Sequence, residues 1–369
     1  MSKAAELAAL IGSGQAQENK NLVINGAMKV AQRGTSTTGL GTNSAGTYHT
    51  VDRFLVLANN TAGRFTMSQS TVTDLPGFAN ALKLDCTTAD TSIAADEYIL
   101  FGTRFEAQNL QSLKKGTSSA EPVTISFYVK GNANATYVLE IFDNDNSRTI
   151  NKTFSVTSSW NRVSITYAGD TAGSGLGDDN DIGLQLVFWL HAGSNSTSGS
   201  LQTSWGAYDQ TKRAAGISSF VDSTDRTLEI TGLQMEIGEV ATPFEHEDFG
   251  TTLRKCQRYY FRMGESSAYA RYTVGQCDSA NNCNGVVELP VQMRDTPTIE
   301  TTGTASNYAV YEAGTVHTCS AVPSINSLGS DKNIANLISY STGNFAAGNA
   351  GELISNNNAS AYIACKSEL

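Results

Sequence analysis

The sequence predicts a mainly β protein: a short N-terminal helix, an antiparallel jelly-roll-like β-sandwich, and a second, small β-rich distal domain. Three observations predict it. There are 33 Gly but only 6 Pro among 369 residues, with 40% hydrophobic and 16% charged residues, the profile of short strands joined by polar turns. Apolar and polar residues alternate with period two in one segment after another, as strands with one covered face require. The chain is also long for one core, which favours two domains plus an appendage. The boundaries read as a helical anchor over 1–20, the sandwich over 21–250 and the distal domain over 251–369.

In "AAELAALIG" the residues Ala4, Leu7, Leu10 and Ile11 share one helical face before Gly12 and Gly14 end the turn. A helix of about ten residues is marginal in water, so Leu7, Leu10 and Ile11 are expected to anchor the chain to a particle or to sister chains. The segment is far too short to span a membrane, and it has no export-signal pattern. In "NGAMKVAQRG" the alternation predicts a strand burying Met28 and Val30. Asp52 and Arg53 in "VDRF" are expected to form an ion pair or turn contact, with a structural role. "VTISFYVKG" places Val123, Ile125, Phe127 and Val129 on one face and Thr124, Ser126, Tyr128 and Lys130 on the other. "TYVLEIF", "NRVSITY" and "DIGLQLVFWL" repeat the signature between polar turns, and a second sheet must cover their apolar faces. Trp189 points away from the row Ile182, Leu184, Leu186 and Phe188, while Trp160 anchors the start of a strand. The run Leu228, Ile230 then Leu233, Met235, Ile237 slips phase at Gly232, which predicts a bulge. Pro243 takes the chain out of the sheet, and "CQRYY" sets Arg258, Tyr259 and Tyr260 at a packed junction.

With 35 acidic and 25 basic residues the net charge is −10, and no basic stripe interrupts it; nucleic acid and membrane insertion are poor partners for such a chain. The six cysteines are expected to be free thiols, and Cys277 and Cys283 lack zinc-knuckle spacing. No nucleophile elbow, zinc-protease motif or phosphate loop is present, and His49, His191, His246 and His317 stand singly in sequence. No enzyme activity and no cofactor are expected. Two loops carry clustered acids: Asp143, Asn144 and Asp145, then Asp178, Asp179 and Asp181. Their oxygens suit a hard cation such as calcium, although turn chemistry explains them as well. For glycan contact the candidate is "TSWGAYDQ", with Trp205, Tyr208 and Asp209; the competing reading makes Trp205 a packing residue at the sandwich edge.

The blocks "NLVINGAMKVAQRGTS", "YHTVDRF", "FEAQNLQSLKKGT", "ISFYVKGN", "SWNRVSITYAGDT", "GLQLVFWLHAGS" and "ITGLQMEIGEVATPFE", followed by "CQRYY", together resemble a family of bacteriophage tail-fibre and virion structural proteins over residues 20 to 262. "VVELPVQMRDTPTIE" also resembles a block of the C-terminal fibre domain. The resemblance implies a β-sandwich similar to carbohydrate-binding modules, leading into a variable distal domain. It further implies a virion protein assembled in the host cytoplasm: a tail fibre or receptor-binding adhesin, forming a homotrimer with its N-termini together. Its partners would be other tail or capsid proteins and a host surface glycan or receptor. A capsid decoration or head-fibre protein is the alternative, and a glycan depolymerase a more distant one.

Overall fold

A computed structural model of the chain describes residues 20–264 and 267–369. The expected N-terminal helix, with Leu7, Leu10 and Ile11, lies outside the described residues. The chain divides into two compact units, at Thr252 and Leu253.

Among the described residues, the first unit is a two-sheet sandwich of thirteen strands, all pairing antiparallel. They are β1 (Ser36–Leu40), β2 (Ser44–Tyr48), β3 (Leu55–Asn59), β4 (Arg64–Thr71), β5 (Asn80–Thr88), β6 (Tyr98–Glu106), β7 (Val123–Gly131), β8 (Ala135–Asp143), β9 (Arg148–Val156), β10 (Asn161–Tyr167), β11 (Ile182–Ala192), β12 (Gly206–Ala207) and β13 (Thr227–Ile237). One sheet runs β1-β4-β5-β13-β7-β10 and the other β12-β9-β8-β11-β6-β3-β2. Several neighbours in space, such as β5 and β13, β13 and β7, and β11 and β6, are far apart in sequence, as in jelly rolls. Their inner faces meet in one core. Leu184, Leu186, Phe188 and Leu190 of β11 point inward with Phe101 and Phe105 of β6, against Ile125, Phe127 and Val129 of β7 and Leu228 and Ile230 of β13. Phe188 stacks on Phe101 at 4.5 Å and meets Phe127 edge-on at 5.3 Å. Each such ring removed from water contributes about 1.5–3 kcal/mol. The phase slip in β13 is a bulge: its register against β7 shifts between Thr231 and Gln234, and Gly232 takes φ 62°, a conformation natural to glycine.

Two local expectations are corrected. Met28 and Val30 are buried, but they lie in irregular backbone just after a turn rather than in a strand. Asn25 and Met28 both have positive φ. The Asn25 side chain accepts from the backbone N–H groups of Lys29 and Val30 and donates to the carbonyls of Val30 and Asp52, which satisfies locally what a ladder would otherwise supply. Thr124 and Ser126 of β7 are buried, not solvated. The segment after β13 covers them: Thr124 donates to the Gly238 carbonyl, while buried Gln234 and Glu236 hydrogen-bond Thr242. Asp52 accepts from the Gln32 backbone and Arg53 donates to the Arg104 carbonyl, so both organise turns.

The second unit contains β14 (Tyr260–Gly264), β15 (Arg271–Cys277), β16 (Asn282–Glu288), β17 (Thr298–Thr301), β18 (Tyr308–Glu312), β19 (Thr315–Thr318), β20 (Ser324–Ile325), β21 (Ile334–Tyr340), β22 (Ala350–Ser355) and β23 (Tyr362–Lys366). They form a three-stranded sheet, β14-β23-β17, and a seven-stranded sheet, β19-β18-β22-β15-β16-β21-β20. Met293, Tyr308, Val310, Leu337, Leu353 and Ile363 make its core. Tyr259 and Tyr260 of "CQRYY" are buried, as the sequence suggested, and Arg258 donates to the Gln292 carbonyl.

Candidate functional site: an aromatic groove on the outer face of the sandwich

Because side chains alternate along a strand, the residues of β3, β6, β8 and β11 that do not enter the core form the outer face of the second sheet. The ladders align them in rows. Arg104, Gln185 and Phe142 stand side by side, then Gly102, Val187 and Glu140, then Leu100, Trp189 and Val138. The chain from Gly193 to Val221 returns across part of this face, where Leu201, Ala214 and Ile217 help to bury Trp189 to 1% exposure. The part it leaves open is a groove of about 430 Å³, lined by Leu57, Tyr98, Leu100, Arg104, Phe142, Ser147, Gln185, Val187, Trp189, Tyr208, Gln210 and Arg213.

Arg213 holds the groove wall in place. Its Nε donates to Glu140 at 2.9 Å, a second guanidinium nitrogen pairs with the other Glu140 oxygen, and Trp189 Nε1 donates to the same carboxylate at 3.1 Å. The guanidinium also lies 4.8 Å from the Trp189 ring centre, 5.1 Å from Tyr208 and 5.5 Å from Phe142. A planar cation among three aromatic faces both packs and fixes them. Tyr208 remains 44% exposed and meets Phe142 edge-on at 5.9 Å; its backbone N–H donates to the Ser147 carbonyl, and its hydroxyl bonds Gln210. Arg104 Nε donates to Gln185 at 3.1 Å, and Gln185 donates onward to Asn144. The groove therefore offers the exposed Tyr208 ring and the half-buried Tyr98 and Phe142 rings beside planar donors and acceptors, the chemistry that holds a sugar ring by stacking and by its hydroxyls.

The structure does not bring Trp205, Tyr208 and Asp209 together as one platform. Trp205 packs on the sandwich core, donates Nε1 to the Ala168 carbonyl at 2.7 Å and lies 5.6 Å from the Lys115 ammonium. Asp209 caps the short helix Gln210–Lys212, accepting from the Thr211 backbone and hydroxyl and pairing with Lys212 at 2.8 Å. Those bonds pull its carboxyl down to about 2. Only Tyr208 enters the groove. Sequence reasoning missed Phe142, Gln185, Arg104 and Arg213, although the outward positions of "TYVLEIF" and "DIGLQLVFWL" carried the signal in Phe142, Gln185, Val187 and Trp189.

The two acidic loops do approach each other. Asn146 donates to the Ser174 carbonyl, and the Gly177 N–H donates to Asp145. Their acids have protein partners, however: buried Asp143 contacts the Lys115 ammonium and accepts from Asn146, and Asp179 accepts from the Asp181 N–H. Among the described residues, ligand atoms from three candidate metal-binding side chains gather only at Asp90, Glu97 and His191, within 4.8 Å of one another. These too are engaged. Asp90 accepts from Thr61 and Ala62, and His191 bonds Glu97 at 3.2 Å and Ser219 at 2.8 Å, so the trio ties loop ends together.

Asp170 completes the charge cluster under Trp205, with Arg148 Nε at 2.7 Å and Lys115 Nζ at 3.0 Å. Burial pushes its carboxyl up, but the bonds from Arg148, Lys115 and the Ala172 N–H outweigh burial and hold it below the usual range. A carboxylate with a depressed folded pKa contributes stability above its unfolded value of about 4, and that contribution is lost as pH falls through the folded value. Asp170→Asn is therefore expected to lower the melting temperature at neutral pH and to flatten its decline below about pH 4. Thermal melts across that range check this; parallel declines for variant and wild type would contradict it.

No family model matches the chain, and no curated protein does. Among solved structures it is similar to a family 11 carbohydrate-binding module of a cellulosomal cellulase of Clostridium thermocellum, with 12% identity, 56% of this chain and 100% of that chain covered, and a TM-score of 0.28. It is also similar to TmCBM61 in complex with β-1,4-galactotriose, with 10% identity, 60% and 100% covered, and a TM-score of 0.28. A third is the enzymatically active domain of bacteriophage CBA120 tailspike protein 4, with 9% identity, 59% of this chain but 21% of that chain covered, and a TM-score of 0.32. The structural neighbours are thus mostly carbohydrate-binding modules, with one phage tailspike domain among them.

Proposed function

We propose that this chain is a non-enzymatic structural protein of a phage virion, a tail fibre or receptor-binding adhesin, and that its sandwich attaches to a host surface glycan through the groove beside Tyr208. The observation that carries the glycan reading is the convergence of Tyr98, Phe142 and Tyr208 with Arg104, Gln185 and Gln210 around one open groove. The virion role is supported by the resemblance of the sequence blocks to tail-fibre proteins. An open groove with few contacts per sugar suits weak single-site binding, roughly millimolar to high-micromolar, or about 4–6 kcal/mol. Presentation of several copies raises apparent affinity without new contacts.

The test is a glycan array that includes bacterial surface polysaccharides, probed with the full chain. The expected result is selective capture of a small set of glycans with no release of reducing ends; no capture at high protein density would overturn the reading. A capsid decoration protein would instead be present in hundreds of copies on purified particles.

We also propose a homotrimer. In the distal unit, Val316, Tyr311 and Val274 are exposed and with Glu352 form one row across four paired strands, while Val286 of the next strand is exposed as well; a further copy would cover this largely apolar surface. Light scattering on the full chain is expected to give three subunits, and Val274→Glu to weaken the assembly; a monodisperse monomer at micromolar concentration would contradict this.

A further inference from the structure

The distal unit carries a second chemical feature, independent of the groove. Cys277 of β15 and Cys283 of β16 stand directly opposite each other in the ladder, with the five residues Asp278 to Asn282 between them. The next pair along, Asp278 and Asn282, is bonded through Asp278 N–H to the Asn282 carbonyl, whereas the Cys277 N–H turns away to Asn349. Cys277 and Cys283 are therefore a non-hydrogen-bonded pair, the kind in which facing side chains come closest, with Cα atoms about 4.5 Å apart. That spacing lies at the short end of the range a disulfide spans, about 4.4–6.8 Å.

The side chains use this proximity. Both thiols are buried, at 0% and 4% exposure, on strands that pair them face to face. Both sulfurs also crowd one point above Gly351 of β22, 2.6 Å (Cys283) and 3.2 Å (Cys277) from where a Cβ on that residue would stand. A glycine there leaves the space over β22 to the two sulfurs. The other four cysteines, Cys86, Cys256, Cys319 and Cys365, have no cysteine opposite them in a ladder.

We propose that Cys277 and Cys283 are a redox pair, which a low-molecular-weight disulfide closes into a cross-strand disulfide stapling the β15–β16 hairpin, and which thiols reopen. One cysteine, as thiolate, attacks the reagent's S–S bond and expels one reagent thiolate, forming a mixed disulfide. The partner cysteine then attacks that mixed disulfide at the protein sulfur and expels the second reagent thiolate. The two thiol protons leave with the two reagent thiolates, so the pair is oxidised by two electrons and one reagent disulfide is reduced to two thiols. Burial, with Glu312 and Asp278 nearby, pushes both thiols up, so little thiolate is present and exchange takes hours rather than seconds.

The full chain is equilibrated with oxidised and reduced glutathione at a series of ratios, both folded and by refolding from denaturant, then acid-quenched, denatured, alkylated and digested with trypsin. Both cysteines fall in the fragment from Tyr272 to Arg294, which has no internal Lys or Arg and no other cysteine. The expected product is that fragment without alkyl groups and lighter by two hydrogens, restored to double alkylation by dithiothreitol, while the other four cysteines alkylate fully. The folded chain should hold the bond at a glutathione disulfide ratio roughly tenfold lower than the free fragment does. Cys277→Ser and Cys283→Ser should each leave a single alkylated thiol. Double alkylation after both routes, a glutathione adduct without closure, or closure no more favourable than in the free fragment would each overturn the proposal.

Discussion

Arg213→Ala is expected to destabilise the sandwich by about 3–5 kcal/mol, the usual cost of leaving one partner of a buried ion pair alone. Glu140 is fully buried. Without Arg213 it keeps only the Trp189 indole as a side-chain donor among the bonds described, and the guanidinium's packing against Trp189, Phe142 and Tyr208 is lost as well. The matched control is Arg213→Met with Glu140→Leu, which removes both charges and keeps most of the volume. It should recover much of the loss, because apolar replacements of a buried pair are often neutral. Chemical denaturation of wild type and the two variants compares the cost of a lone buried carboxylate with the cost of removing the pair. A cost for Arg213→Ala below about 1 kcal/mol, the level of an exposed pair, would mean that the wall of the groove is held by something else.

The sheets were legible because they rest on period-two alternation, which the sequence displays without reference to anything distant. β7, β8, β10 and β11 lie where the alternating runs place them, and the bulge at Gly232 could be read from a single phase slip. Met28 was misread because its alternation is real but short, and the Asn25 side chain substitutes for a ladder there. Thr124 and Ser126 were misread because their cover comes from Thr242 and its neighbours, more than a hundred residues later. The groove was illegible for the same reason: Arg104, Phe142, Gln185 and Arg213 come from four separate stretches of chain. Only the two ladders and the returning segment assemble them. Trp205, the most conspicuous aromatic in a polar stretch, looked like a platform in sequence, yet its indole N–H is taken by Ala168 and its ring lies on the core. The facing of Cys277 and Cys283 depends on a turn whose length the sequence gives but whose register it does not.

Tyr208→Ala is expected to lower glycan affinity at least tenfold, about 1.4 kcal/mol, because it removes the most exposed ring of the groove while the Glu140–Arg213 pair beneath stays in place. Trp205→Phe is expected to leave that affinity unchanged and to lower only stability, since the substitution keeps a ring on the core but forfeits the bond to Ala168. The most direct measurement is a calorimetric or NMR titration of wild type, Tyr208→Ala and Trp205→Phe with the oligosaccharide selected on the array, after each variant is shown to be folded. Affinity lost in Tyr208→Ala and kept in Trp205→Phe is the predicted result; affinity kept in Tyr208→Ala and lost in Trp205→Phe would contradict the groove as the binding site.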